Sequence, residues 1–245
     1  KRSTEINYKK NSRGNFWRDT NESLCQKMNW RKYYGQNFLI DSSVVSKIIE
    51  ISEIKSFEDV CEMGTGKGIL VPFLCEKARF VKSFELDYKL YEKIKILQSK
   101  FKNLKIINED LLNYIEPLKF DVFISNIPYS KSKEIFLWLS TKKFTRAIIM
   151  VQKEFSQKIQ SNPGDKNYRT LSAIIQYSFD IQPLFKVDRK SFYPQPTDES
   201  EVIKLISKNN ILSKDTISKV FMIFSFKNKK ISKLNNKLKI NFNEI

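Results

Sequence analysis

The sequence predicts an α/β fold: a mostly parallel sheet with helices on both faces, an antiparallel edge, and a small helical C-terminal part. Three observations carry this. Short apolar runs alternate with segments of helical spacing between residues 57 and 151. Three of the six glycines, Gly64, Gly66 and Gly68, fall within five residues between a strand signal and a helix signal. Two later apolar runs, 173–187 and 198–207, have strand character and read as an antiparallel pair.

Residues 1–30 are polar with isolated apolar positions and read as a basic, loosely ordered arm with one short helix near 21–29. Residues 42–54 (SSVVSKIIEISEI) space their apolar side chains for a helix. Asp41 or Ser42 is its cap, because a side-chain oxygen there accepts from the free N–H groups of the first turn. Residues 57–63 (FEDVCEM) read as a strand running into the glycines. Helix 69–78, strand 80–85, helix 88–100, strands 104–107 and 120–125, helix 132–140 and strand 144–151 follow. Such alternation needs crossover connections, which make the strands parallel and cover both faces with helices. Residues 173–187 and 198–207 complete the sheet at its edge, and the chain beyond 208 reads as helical. The predicted organisation is an arm over 1–30, a main domain over 31–207 and a small basic helical segment over 208–245.

Of 245 residues, 41% are hydrophobic and 13% aromatic, enough for one large packed domain with an appendage. There is no histidine, which removes Ser-His-Asp and Cys-His catalysis and every His-ligated metal site. Cys25, Cys61 and Cys75 form no C-x-x-C pair; an odd, sparse count fits a reducing compartment. No apolar run approaches the roughly 20 residues that span a bilayer. The opening KRSTEINYKK is polar, with no visible signal peptide. The expectation is a soluble, intracellular protein, cytoplasmic with an organelle left open, without metal or membrane partner. Lys and Arg number 44 against 27 Asp and Glu, a net charge of +17. Residues 1–33 hold +6 of it and residues 204–245 hold +8, leaving +3 for the body between. A near-neutral body with basic ends fits an enzyme that binds a polyanion such as nucleic acid, with a lysine-decorated solvated surface as the alternative.

The glycine cluster sits where an α/β sheet holds a nucleotide-like ligand, at the carboxyl end of a strand. Glycine lets the backbone approach a ligand without a Cβ clash; an ordinary strand–helix turn needs one glycine, not three. A dinucleotide loop would place its third glycine one residue later, and a phosphate-binding P-loop would follow Gly66-Lys67 with Ser or Thr, not Gly68. The E-x-G-x-G-x-G pattern beginning at Glu62 resembles the first motif of S-adenosylmethionine-dependent methyltransferases. Glu85, 21 residues past Gly64, ends the second strand at the distance where an acid meets ribose hydroxyls. A carboxylate accepts from both hydroxyls at once. Asp110 follows the third strand, placed to accept from an adenine amino group or to cap a helix.

The fourth strand ends in Ser125-Asn126-Ile127-Pro128-Tyr129. An exocyclic amino group on a base is a poor nucleophile because its lone pair is delocalised into the ring. The Asn126 side-chain carbonyl and a nearby main-chain carbonyl can hold its hydrogens and free the lone pair. Pro128 fixes the turn, and Tyr129 offers a flat face on which an extruded base can stack. This chemistry needs no histidine.

Together with Gly35-Gln36-Asn37-Phe38-Leu39-Ile40-Asp41 and Glu62-Met63-Gly64-Thr65-Gly66, Asn126-Ile127-Pro128-Tyr129 resembles the KsgA/Erm family of ribosomal RNA adenine N6-dimethyltransferases. Gln152-Lys153-Glu154, Tyr168-Arg169-Thr170-Leu171-Ser172 and Phe192-Tyr193-Pro194-Gln195-Pro196 followed by Ser200 also fit, in family order from about Trp30 to Leu205. The resemblance implies a Rossmann-like S-adenosylmethionine methyltransferase fold and S-adenosyl-L-methionine as cofactor. Asn37 and Leu39 would lie near the methionine end of the donor, Gly64 and Gly66 along it, Glu85 at the ribose and Asp110 at its adenine. Asn126 would face both donor and target base, with Tyr129 stacking on the target and Phe192 closing its other face. The implied partners are ribosomal RNA and a ribosomal subunit or its precursor, met by a monomer.

The chain departs from the family in carrying Thr65 where a proline is usual, and in the acids of Pro196-Thr197-Asp198-Glu199-Ser200; the short C-terminal part differs from the family's full helical substrate domain. Ile127 leans toward the antibiotic-resistance branch acting on large-subunit RNA. The arm and short tail leave the housekeeping, small-subunit branch as the favoured reading. A non-catalytic RNA-binding or ribosome-assembly factor, a DNA adenine methyltransferase and, weakest, a nicotinamide-dependent oxidoreductase are the rival expectations.

Overall fold

The computed structural model describes residues 8–10, 16–18 and 37–226. Near the start, β1 (Tyr8–Lys10) and β2 (Phe16–Arg18) pair antiparallel, a ribbon the polar composition of the arm does not announce. The short helix expected near 21–29 and the tail beyond 226 lie outside the described residues.

From residue 37 the chain runs β3 (Phe38–Leu39), α1 (Ser42–Ser52), β4 (Asp59–Met63), α2 (Val71–Lys77), β5 (Phe80–Phe84), α3 (Tyr88–Ile94), α4 (Leu97–Lys100), β6 (Leu104–Ile107), β7 (Val122–Asn126), α5 (Ser132–Leu139), β8 (Arg146–Gln152), α6 (Lys153–Ile159), α7 (Thr170–Ser178), β9 (Phe179–Val187), β10 (Phe192–Tyr193), β11 (Ser200–Ser207) and α8 (Lys214–Ser225). Seven strands form one sheet in the order β6-β5-β4-β7-β8-β11-β9; the first five are parallel, and β11 and β9 close the edge antiparallel. The expected parallel sheet with an antiparallel edge is therefore present. The parallel strands are apolar on both faces because helices cover both. One core packs α1 and α2 against one face, with Val60, Val81, Val122 and Ile148 at its centre. The other packs α5 and α7 against the opposite face around Phe123, Phe136 and Ile149.

Local chemistry explains the boundaries. Asp41 starts α1 by accepting from Ser43 N–H at 2.9 Å, and Asp87 starts α3 by accepting from Lys89 N–H at 2.7 Å. Pro72 sits in the first turn of α2, where its missing N–H costs nothing. Residues 88–100, read as one helix, divide into α3 and α4. Residues 173–178, read as strand, belong instead to α7, whose Ser172, Ile174, Ile175 and Ser178 are buried at helical rather than alternating spacing. The strand proper begins at Phe179.

Outside the main sheet, β3 pairs antiparallel with β10, Leu39 opposite Phe192. Ile40 N–H donates to the Ser191 carbonyl at 2.9 Å, and the Ser191 hydroxyl donates to Asp41 at 2.9 Å. These contacts fasten the segment before α1 to the loop before β11, over the carboxyl ends of the parallel strands.

Candidate active site

The strand order changes direction between β4 and β7: β5 and β6 lie outward from β4, and β8 outward from β7. At such a switch point the connections leaving the two strands diverge and open a crevice at their carboxyl ends. A cavity of about 170 Å³ occupies it. Its wall takes Asn37–Leu39 from β3, Glu62 to Lys67 from the end of β4 and its loop, Phe84 to Leu86 from the end of β5, Glu109 to Leu111 after β6, and Asn126 to Lys131 after β7. Asn37, Leu39, Gly64, Gly66, Glu85, Asp110, Asn126, Pro128 and Tyr129, distant in sequence, all line it.

The glycine loop is held in a conformation side chains resist. Gly64 has φ +79° and Gly66 φ +56°. A Cβ on Gly64 would meet the Asn126 carbonyl oxygen at 3.6 Å, and one on Gly66 would meet the Phe38 ring at 3.3 Å. Gly64 thus brings the loop against the end of β7, so the two motifs share one wall.

Glu85 is 3% exposed. One carboxylate oxygen accepts from Gly66 N–H at 2.7 Å and the other from Asp87 N–H at 2.9 Å. Burial pushes its pKa up, and these two backbone donors hold it partly down. Asp110 caps the 3₁₀ turn Leu111–Asn113, accepting from Leu112 N–H at 3.0 Å, which is the capping reading of this acid, and it also lines the cavity.

Asn126 Nδ2 donates to the Asn37 carbonyl at 3.3 Å, which turns its Oδ1 away as a remaining acceptor. The Ser125 hydroxyl donates to the Met63 carbonyl at 2.7 Å and fixes the end of β7 to the end of β4. The Pro128 carbonyl accepts from Lys131 N–H at 2.9 Å in the turn beyond it. Among the described residues no N–H takes the Ile127 carbonyl. The Tyr129 hydroxyl lies 2.5 Å from the hydroxyl of buried Ser200 at the start of β11, which anchors the far end of the ring; burial pushes the Tyr129 pKa up.

Phe192 is a correction. It is 1% exposed, packs in the core with Leu39, and does not line the cavity. Strand alternation in β10 turns Phe192 inward and leaves its neighbour Tyr193 exposed. The second stacking face expected there is not where the structure puts this ring. The structure also adds residues that the motifs did not single out as site members: Glu62, Thr65, Lys67, Lys131 and the anchor Ser200. The Lys67 ammonium sits 5.1 Å from the Phe38 ring, at the same wall. No helix among the described residues is long and apolar enough to cross a membrane.

Comparisons with known proteins bear on the fold and the family. The family model for ribosomal RNA adenine dimethylases matches residues 27–244. A ribosomal RNA small subunit methyltransferase A from Mesomycoplasma hyopneumoniae is 38% identical over 191 residues, 76% of this chain and 72% of that protein. A dimethyladenosine transferase from Plasmodium falciparum superposes with a TM-score of 0.70 at 31% identity, covering 80% of this chain and 73% of that one. The 23S rRNA methyltransferase ErmE gives 0.65 at 28% identity, covering 80% and 82%. With a family match across nearly the whole chain, and the glycine loop, the two acids and Asn-Ile-Pro-Tyr around one crevice, the chain belongs to the ribosomal RNA adenine dimethylase family.

Proposed function

We propose that this protein transfers methyl groups from S-adenosylmethionine to the N6 amino group of an adenine in small-subunit ribosomal RNA, forming dimethyladenosine. The observation that carries this is Asn126: its amide nitrogen is committed to the Asn37 carbonyl, so its Oδ1 is left to accept from a ligand at the mouth of the cavity. Bound in the crevice, S-adenosylmethionine supplies an electrophilic methyl group on a sulfonium sulfur. Glu85 accepts from the ribose hydroxyls, Asp110 from the adenine amino group, and the opened loop at Gly64 and Gly66 lets the methionine portion lie against the backbone. Asn37 and Leu39 close the crevice over that portion.

Asn126 Oδ1 and the Ile127 carbonyl hold the two hydrogens of the target amine and draw its lone pair out of conjugation. Tyr129, braced by Ser200, carries the extruded base on its face. The lone pair forms the new N–C bond as the S–C bond breaks, and the surplus proton leaves to water. Most of the acceleration comes from alignment in a water-poor site. Residues 31–207 do this chemistry, while the basic arm and tail hold phosphates of the ribosomal subunit or its precursor, so RNA affinity falls steeply with salt. The protein works as a monomer in the cytoplasm.

The test is methylation of isolated small- and large-subunit RNA and precursor particles with labelled S-adenosylmethionine, then nucleoside mass spectrometry. Dimethyladenosine in small-subunit RNA supports the reading. Label confined to large-subunit RNA would favour the resistance-type branch, to which the likeness to ErmE also points. No transfer to either would overturn the proposal.

A further inference from the structure

The mouth of the crevice has two rims. On the side of β7 stands Tyr129, braced against Ser200 at the start of β11. On the side of β4 stands Lys67, placed between two glycines of left-handed backbone, Gly66 at φ +56° and Gly68 at φ +73°. Lys67 is half-buried and lines the cavity. Its ammonium sits 5.1 Å from the centre of the Phe38 ring and 5.9 Å from that of Tyr193. Phe38 and Tyr193 are cross-strand partners in β3 and β10, and the Phe38 ring is the group that a Cβ on Gly66 would meet. Three segments distant in sequence thus bring one ammonium beside two rings. Phe38 is buried and belongs to the wall. Tyr193 is 36% exposed and does not line the cavity, so its ring stands outside the mouth. The carbonyl of Asn37, the residue before Phe38, holds the Asn126 amide, so this rim adjoins the proposed place of the target amine.

Charge decides what such a rim can serve. S-adenosylmethionine carries a sulfonium, an amino group and one carboxylate, a net positive charge. A lysine at the wall of its site is therefore unfavourable unless an anion lies within reach. The ammonium lies toward Tyr193, at the outer edge of the wall. An adenine drawn out of an RNA strand into a pocket leaves its sugar-phosphate backbone at the mouth. A neighbouring nucleotide there offers both things this rim can take: a phosphate that pairs with an ammonium, and a flat base that stacks on an exposed ring. Tyr129 on the other rim is already taken by the extruded base.

We propose that Lys67 and Tyr193 are positioning residues for the RNA strand: Lys67 takes a phosphate flanking the target adenosine, and Tyr193 stacks on the adjoining base. The strand is then held on the β4 side of the mouth while the target adenine lies against Tyr129 on the β7 side. This rests on the reading of the crevice as the place where an RNA adenine meets its methyl donor. The basic ends of the chain, with most of the net charge, supply affinity at large. The rim supplies register, deciding which nucleotide enters.

The test is methyl transfer by the full chain to isolated ribosomal RNA of whichever subunit the native protein labels, at saturating donor and over a series of salt concentrations. Calorimetry with S-adenosylhomocysteine reads the donor site separately, and thermal melts report folding. Lys67→Met is expected to raise KM for RNA about fivefold with kcat near native, and to reduce the slope of log KM against log salt by about one, as loss of a single phosphate contact requires. Its Kd for S-adenosylhomocysteine is expected to stay native, and Lys67→Arg, which keeps the charge, to restore both KM and slope. Tyr193→Ala is expected to raise KM about tenfold through lost stacking, with the salt slope unmoved. Tyr193→Phe, which keeps the ring, is expected to match the native protein. A native KM and slope in Lys67→Met would overturn the phosphate contact. So would a weakened Kd for S-adenosylhomocysteine with an unmoved slope, which would assign the lysine to the carboxylate of the donor. A native KM in Tyr193→Ala, or a KM in Tyr193→Phe as high as in Tyr193→Ala, would overturn the stacking. Failure of the native protein to methylate either subunit's RNA would instead remove the reading beneath the proposal.

Discussion

At the amino ends of the parallel strands Glu58, 5% exposed, is gripped by Arg146, with its two carboxylate oxygens 2.8 and 2.7 Å from the guanidinium. The same guanidinium donates to the Ser52 and Glu53 carbonyls, and Lys55 N–H donates to Glu58. At the carboxyl ends, Glu62 and Glu85 are as deeply buried but among the described residues meet hydroxyls and backbone N–H groups and no cation. The Arg146 hydrogen bonds hold the Glu58 carboxyl below the usual range, whereas burial pushes Glu62 and Glu85 above it. One sheet thus treats the same side chain in two ways. The satisfied end stabilises the fold, and the end with unused acceptor capacity is where the proposed donor site lies.

The first way to break this contrast is Arg146→Met. It leaves Glu58 buried without its partner, and the expected loss is about 3–5 kcal/mol of stability in urea or thermal melts, with donor affinity unchanged at temperatures where the variant is folded. Loss of donor binding alone would place function at the wrong end. Next, Asn126→Ala is expected to lower transfer roughly a hundredfold at saturating donor, by analogy with removing one group of a polar transition-state clamp. Its melting temperature is expected to stay close to the native value; an unchanged rate would remove Asn126 from the chemistry.

Third, the two ends respond to pH with opposite sign. Glu58, with a lowered pKa, adds stability that is present above the ordinary carboxylate range and lost as pH falls through its folded value. Glu62, raised to about 7, binds a proton in the folded state that the unfolded chain has already released, so it makes stability decline as pH rises from about 4.5 to 7. Glu62→Gln is therefore expected to be more stable than the native chain at pH 8, by on the order of 3 kcal/mol, and nearly equal to it at pH 4.5. Thermal melts at the two pH values read this directly; an equal difference at both would contradict it. The smallest effect is expected from Ser200→Ala, which removes the anchor of Tyr129. A loss of about 1 kcal/mol in transition-state stabilisation, a few-fold in kcat, is expected with donor affinity unchanged.

How much the sequence discloses depends on the range of the interactions. The parallel strands are legible because each is a short apolar run ended by turn residues, and the cap at Asp41 because capping is local. The residues that line the cavity are legible because they lie at strand ends with the spacing of the resembled family. Residues 173–178 read as strand because β-branched Ile174 and Ile175 resemble a strand run, while burial against α5 and α6 decides for a helix. Phe192 is misplaced by sequence because a two-residue strand has no visible period, and its pairing with Leu39 spans about 150 residues. Glu62 is visible as a motif letter. Its lack of a lysine or arginine partner among the described residues is not, since that depends on which side chains the sheet leaves out of reach.

The most direct measurement of the central claim is a crystal structure of the full chain with S-adenosylhomocysteine bound. The expected result is the ribose on Glu85, the adenine at Asp110 and the sulfur facing Asn126 across the space left for the target amine. A ligand seated elsewhere, or Asn126 turned away from the sulfur, would contradict it.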